Sequence, residues 1–253
     1  MRRFITTLFV TTTLFAQEKP KELLAAALSV SGECFYERDG KTQPVKVKTI
    51  FFQNDRLFTK KGKMDVQVGP MAVLHIAPYS TLRLSELSEQ DRKNNIVVGL
   101  DEGTAYTKFA KKMPPGSKYT IKSPTVVAAV RGTEFILSTG STPPEPHEDS
   151  DLPSGVFVNT GVVAVAPANR ETEEMELKPG EQVTGVDNAL VKSVMEDFIK
   201  KKMQLFQKLN TMREEQYRIL EREKNRQIEL LEKVKGSANF EQLREKNKQL
   251  FNK

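Results

Sequence analysis

The sequence predicts a mainly β protein: a single all-β domain, as a sandwich, roll or short solenoid, followed by a long C-terminal α-helix with coiled-coil character. Three observations predict it. Turn residues interrupt residues 28–186 every six to twelve positions or so, among them Asp39-Gly40, Lys61-Gly62, Gly69-Pro70 and Pro179-Gly180. The segments between them alternate apolar and polar, as in Met64, Val66, Val68 or Leu82, Leu84. Beyond Asn188 proline disappears, and Lys, Glu, Gln, Arg, Leu and Met take over.

Before the first strand, Met1-Arg2-Arg3 leads into an uncharged run from Phe4 to Ala16, followed by Gln17-Glu18-Lys19. That is the charged head, apolar body and small-residue exit of a signal peptide covering 1–16, with cleavage expected after Ala16. As a helix the run would span about 20 Å, short of the roughly 30 Å of a bilayer core. An exported product is expected, periplasmic or at the cell surface, with 17–27 as a linker and 28–187 as the β domain. The lone Cys34 excludes an intramolecular disulfide and lies away from the cut, where a lipid anchor would need it. It is expected to be a small buried hydrophobe.

Within the domain, Thr125 to Val130 is continuously apolar, which suits a strand buried on both faces. Residues 140–154 turn to Pro, Ser and acid and are expected to form a mobile loop. Its acids, with His147, lack the fixed turn geometry of a cation site and are read as solvated.

The C-terminal region, 188–253, is expected to hold a helix of roughly 46 residues, about 70 Å long. Its apolar seam is read as Val191, Val194, Phe198, Leu205, Leu209 and Met212, then, after a phase slip near Gln216, Tyr217, Leu220, Ile228, Leu231 and Val234, too narrow for a globular core and suited to a coiled coil or to packing along one groove. Gly236-Ser237 ends it. Residues 191–253 hold 11 Lys and 5 Arg against 9 Glu and 1 Asp, so they carry the whole net charge of +6. Acids interleaved at helical spacing, as in Glu214 to Arg218, read as a self-paired solvated face. Contact with an anionic membrane or cell-wall surface is the second reading. Nucleic acid is not expected as a partner, since no basic run is interleaved with stacking aromatics.

The segment Ser123 to Leu137, SPTVVAAVRGTEFIL, joins an apolar strand to Arg131, Gly132, Thr133 and Phe135. It resembles the signature of the FecR family. Further matches follow in order along residues 50–185. NDRLFT at 54–59 is similar to a G-D-x-x-x-T turn with Asn54 in place of Gly, and 69–84 contains a P-x-S turn. IVVGLDEG at 96–103 is similar to an apolar stretch closed by Gly; VFVNTGVVAV at 156–165 is a hairpin about Gly161; and LKPGEQV at 177–183 contains Gly180 and Glu181. The resemblance implies an extracytoplasmic β domain that senses or binds other proteins, in the family's founding members the periplasmic part of a transmembrane regulator that takes a signal from an outer-membrane transporter to a cytoplasmic sigma factor. Cleavage after Ala16 would leave no cytoplasmic segment and no span, so a stand-alone module is expected.

No catalytic residue, metal site or cofactor is expected. His75 and His147 stand outside any nucleophile or zinc motif, and Asp101 and Glu102 are sequence neighbours that a strand would send to opposite faces. Arg131 and Glu134 are read as a structural pair at a strand bend. The chain is expected to be a non-catalytic interaction or assembly protein of the cell envelope, its β domain docking a protein partner and its helix oligomerising or bridging. Signal relay of the FecR type is the alternative.

Overall fold

Segments this short, each with one apolar and one polar edge, cannot bury themselves singly, and the chain pairs them into two sheets. The computed structural model describes residues 21–109, 113–130, 132–147, 151–186 and 189–204, with Arg222, Arg226 and Glu229. Contacts divide the chain into two units, 1–195 and 196–253. The first unit runs through β1 (Lys21–Glu22), β2 (Ala25–Ser31), β3 (Cys34–Arg38), β4 (Lys41–Pro44) and β5 (Ile50–Phe51). It continues through β6 (Arg56–Thr59), β7 (Lys63–Val68), β8 (Ala72–Ile76), β9 (Thr81–Gln90), β10 (Lys93–Glu102), β11 (Thr104–Phe109) and β12 (Lys118–Lys122). It ends with β13 (Val126–Val130), β14 (Glu134–Ser138), β15 (Gly155–Thr160), β16 (Val163–Pro167), β17 (Met175–Leu177), β18 (Glu181–Val186) and β19 (Ala189–Val194).

The first sheet has the order β4-β3-β6-β9-β10-β12-β13-β16-β17, with β1 beside β9, and the second β5-β2-β7-β8-β11-β14-β15-β18-β19. Strand number rises along both sheets almost without exception. The chain therefore lays one or two strands on one sheet, crosses to the other, and advances along both together. The pairs are antiparallel except β10 with β12, where the chain leaves the first sheet through β11 and returns in the same direction.

Alternation puts one side of every strand into a shared apolar layer. Val66, Leu74, Phe135 and Val156 enter it from the second sheet, and Leu84, Val98, Ile121 and Val165 from the first. Tyr119 is the largest side chain enclosed there and meets Phe109 edge to face at 5.1 Å. Cys34 is buried, with its thiol donating to the Ser31 carbonyl.

Three expectations are corrected. Val127 and Ala129 lie half-exposed on the outer face of β13, so Thr125 to Val130 is buried on one face only; the apolar residues turned outward there are small. The long helix with coiled-coil character is overturned as well. The residues expected to open it form β19, which pairs with β18 from Glu181↔Val194 to Val186↔Ala189. β-branched Val191 and Val194 suit a strand, and the exposed edge of β18 offers hydrogen bonds that an isolated helical start lacks. Among the described residues the one continuous helix covers 197–204, eight residues. The expected seam fails there too: Ile199 and Met203 are buried while Phe198 is exposed. Leu205, Leu209, Met212, Tyr217, Leu220, Ile228, Leu231 and Val234 lie outside the described residues. Oligomerisation through a C-terminal coiled coil therefore has no support. Among the described residues no helix is long and apolar enough to cross a membrane.

Because the two sheets share one layer, truncating Phe135 should loosen both. Phe135→Ala should lower stability by about 3–5 kcal/mol, read as a fall in the urea midpoint at unchanged slope. A loss below about 1 kcal/mol would show that the layer is not a single packed core.

Candidate functional site

Where the chain crosses between sheets its backbone leaves both ladders, and short hydroxyl side chains take up the freed groups. The buried Thr59 hydroxyl donates to the Ala77 carbonyl at 2.7 Å and accepts from the Ser80 amide at 3.0 Å. The Ser80 hydroxyl in turn accepts from the Thr104 amide at 3.0 Å. The Thr139 hydroxyl accepts from the Gly103 amide at 2.8 Å, and the Ser138 hydroxyl donates to the Leu152 carbonyl at 3.3 Å. These bonds form a seam linking successive crossings. Gly103 belongs to it by necessity: its φ is +89°, and a Cβ there would lie 2.2 Å from the Ser80 hydroxyl.

A second anchor closes the N-terminal end. Asp55, almost wholly buried, accepts from Arg38 Nε at 2.8 Å and Nη2 at 2.6 Å, and from the Phe52 amide at 2.9 Å. Arg38 Nη2 also donates to the Ile50 carbonyl at 3.0 Å, and its guanidinium lies over the Phe52 ring at 4.4 Å. Hydrogen bonding to Asp55 raises the pKa of Arg38 further. The turn that delivers Asp55 needs Asn54 at φ +70°, a conformation Asn tolerates and Gly adopts freely.

The face of the second sheet turned away from the shared layer is itself buried along one row, which is polar at one end and apolar in the middle: Asp65, Tyr106, Ile136, Phe157 and Gln182 are all nearly inaccessible. Cross-strand neighbours run Ser29, Asp65, His75, Tyr106, Ile136, Phe157 and Gln182. The Ser29 hydroxyl donates to Asp65, and His75 Nδ1 lies 2.7 Å from Asp65 Oδ1. In the adjoining row Glu134 accepts from Tyr106 at 3.4 Å and Asn159 at 3.1 Å, with Lys108 at 3.6 Å. Burial and the Glu134 charge push the Tyr106 phenol well above its ordinary range. Ser, Asp and His together resemble the parts of a nucleophilic relay, but hydroxyl and imidazole both bond the same carboxylate. The imidazole is not on the hydroxyl whose proton it would have to take. Among the described residues no three His, Cys, Asp or Glu gather in a metal-holding group.

The residues singled out from sequence are distributed along the domain. Arg131 lies outside the described residues. Gly132 turns the chain at φ +77°, and the β14–β15 pairing shifts register between Glu134 and Phe135, a bulge beside that turn. Thr133 is buried with its methyl against the next hairpin turn, so a Cβ on Gly161 would lie 2.4 Å from it. Phe135 faces the core. Gly180 donates to the Val158 carbonyl and accepts from the Met195 amide, tying β18 to β15 and β19. Glu181 accepts from the Lys178 amide and pairs with Lys192, both at 2.7 Å, which holds its carboxyl below the ordinary carboxylate range. Glu145 of the acidic loop pairs with Lys61 at 2.7 Å, and Leu152 is buried at its far end.

Arg38, Asp65 and Ser29 were not legible as partners. A hairpin centred on Gly69-Pro70 does fix Asp65 opposite His75, and that turn was the one usable signal.

Fold and surface together define an all-β scaffold of two facing sheets whose signature side chains bond backbone or neighbouring strands. Residues 55–164 match the family model described as FecR protein. No curated protein matches it by sequence. Two structures of a candidate anti-sigma factor from Parabacteroides distasonis ATCC 8503 are similar. The first has a TM-score of 0.41 at 19% identity over 56% of this chain and 60% of that one. The second has 0.40 at 18% over 55% and 58%. The chain thus spans about three fifths of their length.

Removing the buried carboxylate strands Arg38 and the Phe52 amide, so Asp55→Ala should cost about 2–3 kcal/mol, discounted for the partial exposure of Arg38. Chemical denaturation checks it, and a loss under about 0.5 kcal/mol would remove Asp55 from its anchoring role. Burial pushes the Cys34 thiol up to about 11. The unfolded chain therefore loses this proton first, and stability falls as pH rises from about 9 towards about 11, by up to about 1.4 kcal/mol per unit. Comparing denaturation of the parent with Cys34→Ala at pH 8 and 10.5 isolates the effect. A difference between them that stays constant with pH would contradict it.

Proposed function

We propose that the protein is an exported, non-catalytic signal-relay component of the cell envelope that acts through protein contacts of its FecR-like domain. The observation that carries this reading is the FecR match over residues 55–164. The use of Thr59, Ser80, Gly161, Gly180 and Glu181 supports it further. Their polar groups and close approaches are spent on turns and strand pairing, which leaves recognition to the outward surfaces. Export rests on the charged head and apolar run of residues 1–16.

A relay protein changes what its cell transcribes. Deleting the gene should alter a defined set of envelope transcripts, and restoring the full chain should reverse the change. A transcriptome identical with and without the protein, in cells where the parent strain demonstrably makes it, would overturn the reading.

A further inference from the structure

At the N-terminal end of the first unit, residues 45–52 pass from the edge of one sheet to the edge of the other. The strap is fixed on both sides: Val45 donates to the Cys34 carbonyl, Lys48 to that of Ala27, and Ala27 to that of Thr49. Val45 and Phe51 turn inward and are buried. Val47, Ile50 and Phe52 turn outward, 54%, 48% and 37% exposed, and Leu28 on neighbouring β2 is 44% exposed. Four large apolar side chains on one strap and the adjacent strand are more than scattered surface residues.

The strap's own charges are positive, and acids stand at its margins: exposed Asp39, Asp55 bonded to Arg38, and Glu22, whose carboxylate accepts from the Gln53 amide at 3.5 Å. Residues 40–54 contain Lys41, Lys46 and Lys48 and no acid, and all three lysines are exposed. Lys48 also has φ +71°. Gly or Asn would take that conformation with little cost, whereas for other residues it costs about 1–2 kcal/mol. A cation is thus held beside the apolar tip at some expense in backbone energy.

Three occupants can be weighed. An added β-strand needs free backbone groups on the edge of β5, but the Thr49 amide bonds Lys46, the Ile50 carbonyl accepts from Arg38 and the Phe52 amide donates to Asp55. A second copy docked by the same face would bring its three lysines against these three. An anionic lipid surface meets both features, since it accepts apolar side chains at the acyl boundary and attracts lysines at the headgroups.

We propose that this strap, with Leu28, is a peripheral docking site for anionic lipid. The site is independent of signal relay: vesicle binding tests it, and transcription tests the other. The full chain should co-sediment with vesicles of phosphatidylcholine containing about a third phosphatidylglycerol, and less with phosphatidylcholine alone. At about 1 kcal/mol per lysine, Lys46→Gln with Lys48→Gln should weaken binding about thirtyfold. Val47→Ser with Ile50→Ser should weaken it on both vesicle types. All four positions are exposed, so unchanged thermal unfolding should confirm that the variants are folded. Absence of sedimentation with either vesicle would overturn the proposal. So would parental affinity in both variants, which would assign vesicle binding to another segment. Binding of the parent to soluble acidic polypeptide with no preference for vesicles would assign the strap to a protein partner instead, and would equally overturn it.

Discussion

Two sheets that share one apolar layer constrain how the chain can run. Each strand must at least cover its inward face, so no hairpin is stable until the opposite sheet packs on it, and the chain crosses repeatedly to build both sides together. The near-monotonic strand order along both sheets follows from this. Each crossing takes backbone out of a ladder, and a layer this dry tolerates few unpaired amides. The hydroxyls of Thr59, Ser80 and Thr139 meet that demand from inside the turns.

The FecR signature thereby acquires a physical meaning. Two of its glycines mark places where turns touch, Gly161 against Thr133 and Gly103 against Ser80, while Gly132 and Gly180 serve turns at positive φ, and its acid and threonines close turns or tie them together. Asn54 shows the rule from the other side, since it stands where Gly is usual and takes a left-handed φ. A signature of this kind identifies the scaffold without naming what it binds. The signature residues are spent inside the scaffold, and the exposed apolar side chains of the strap at 45–52 lie outside them.

The face of the second sheet turned away from the shared layer illustrates how a sheet gathers chemistry that sequence scatters. Ser29, Asp65, His75, Tyr106 and Glu134 come from five different strands, and pairing alone makes them neighbours. Asp65 between Ser29 and His75 is arranged for a fixed polar cluster, with the carboxylate serving both.

Legibility followed the range of the interaction involved. The turns at Gly69-Pro70 and Gly161, the alternation of Met64, Val66 and Val68, and the FecR motifs are local, and local sterics wrote them into the sequence. Residues 189–194 went astray because Val191 and Val194 suit a strand or a helical seam equally well, and only the open edge of β18 decides between them. Val127 and Ala129 read as buried, and only the arrangement of the sheets leaves them half-exposed. The partnership of Arg38 with Asp55 joins residues 17 positions apart, and nothing in either residue's neighbourhood announces it. The turns, the alternation that makes this a layered β protein, and the FecR resemblance of residues 55–164 were all local properties of the sequence. The tertiary structure decided which strands adjoin, which polar groups are buried together, and that the lysines of the strap stand beside its apolar side chains. Those are long-range pairings, and their stability comes from burial that exists only once both sheets are in place.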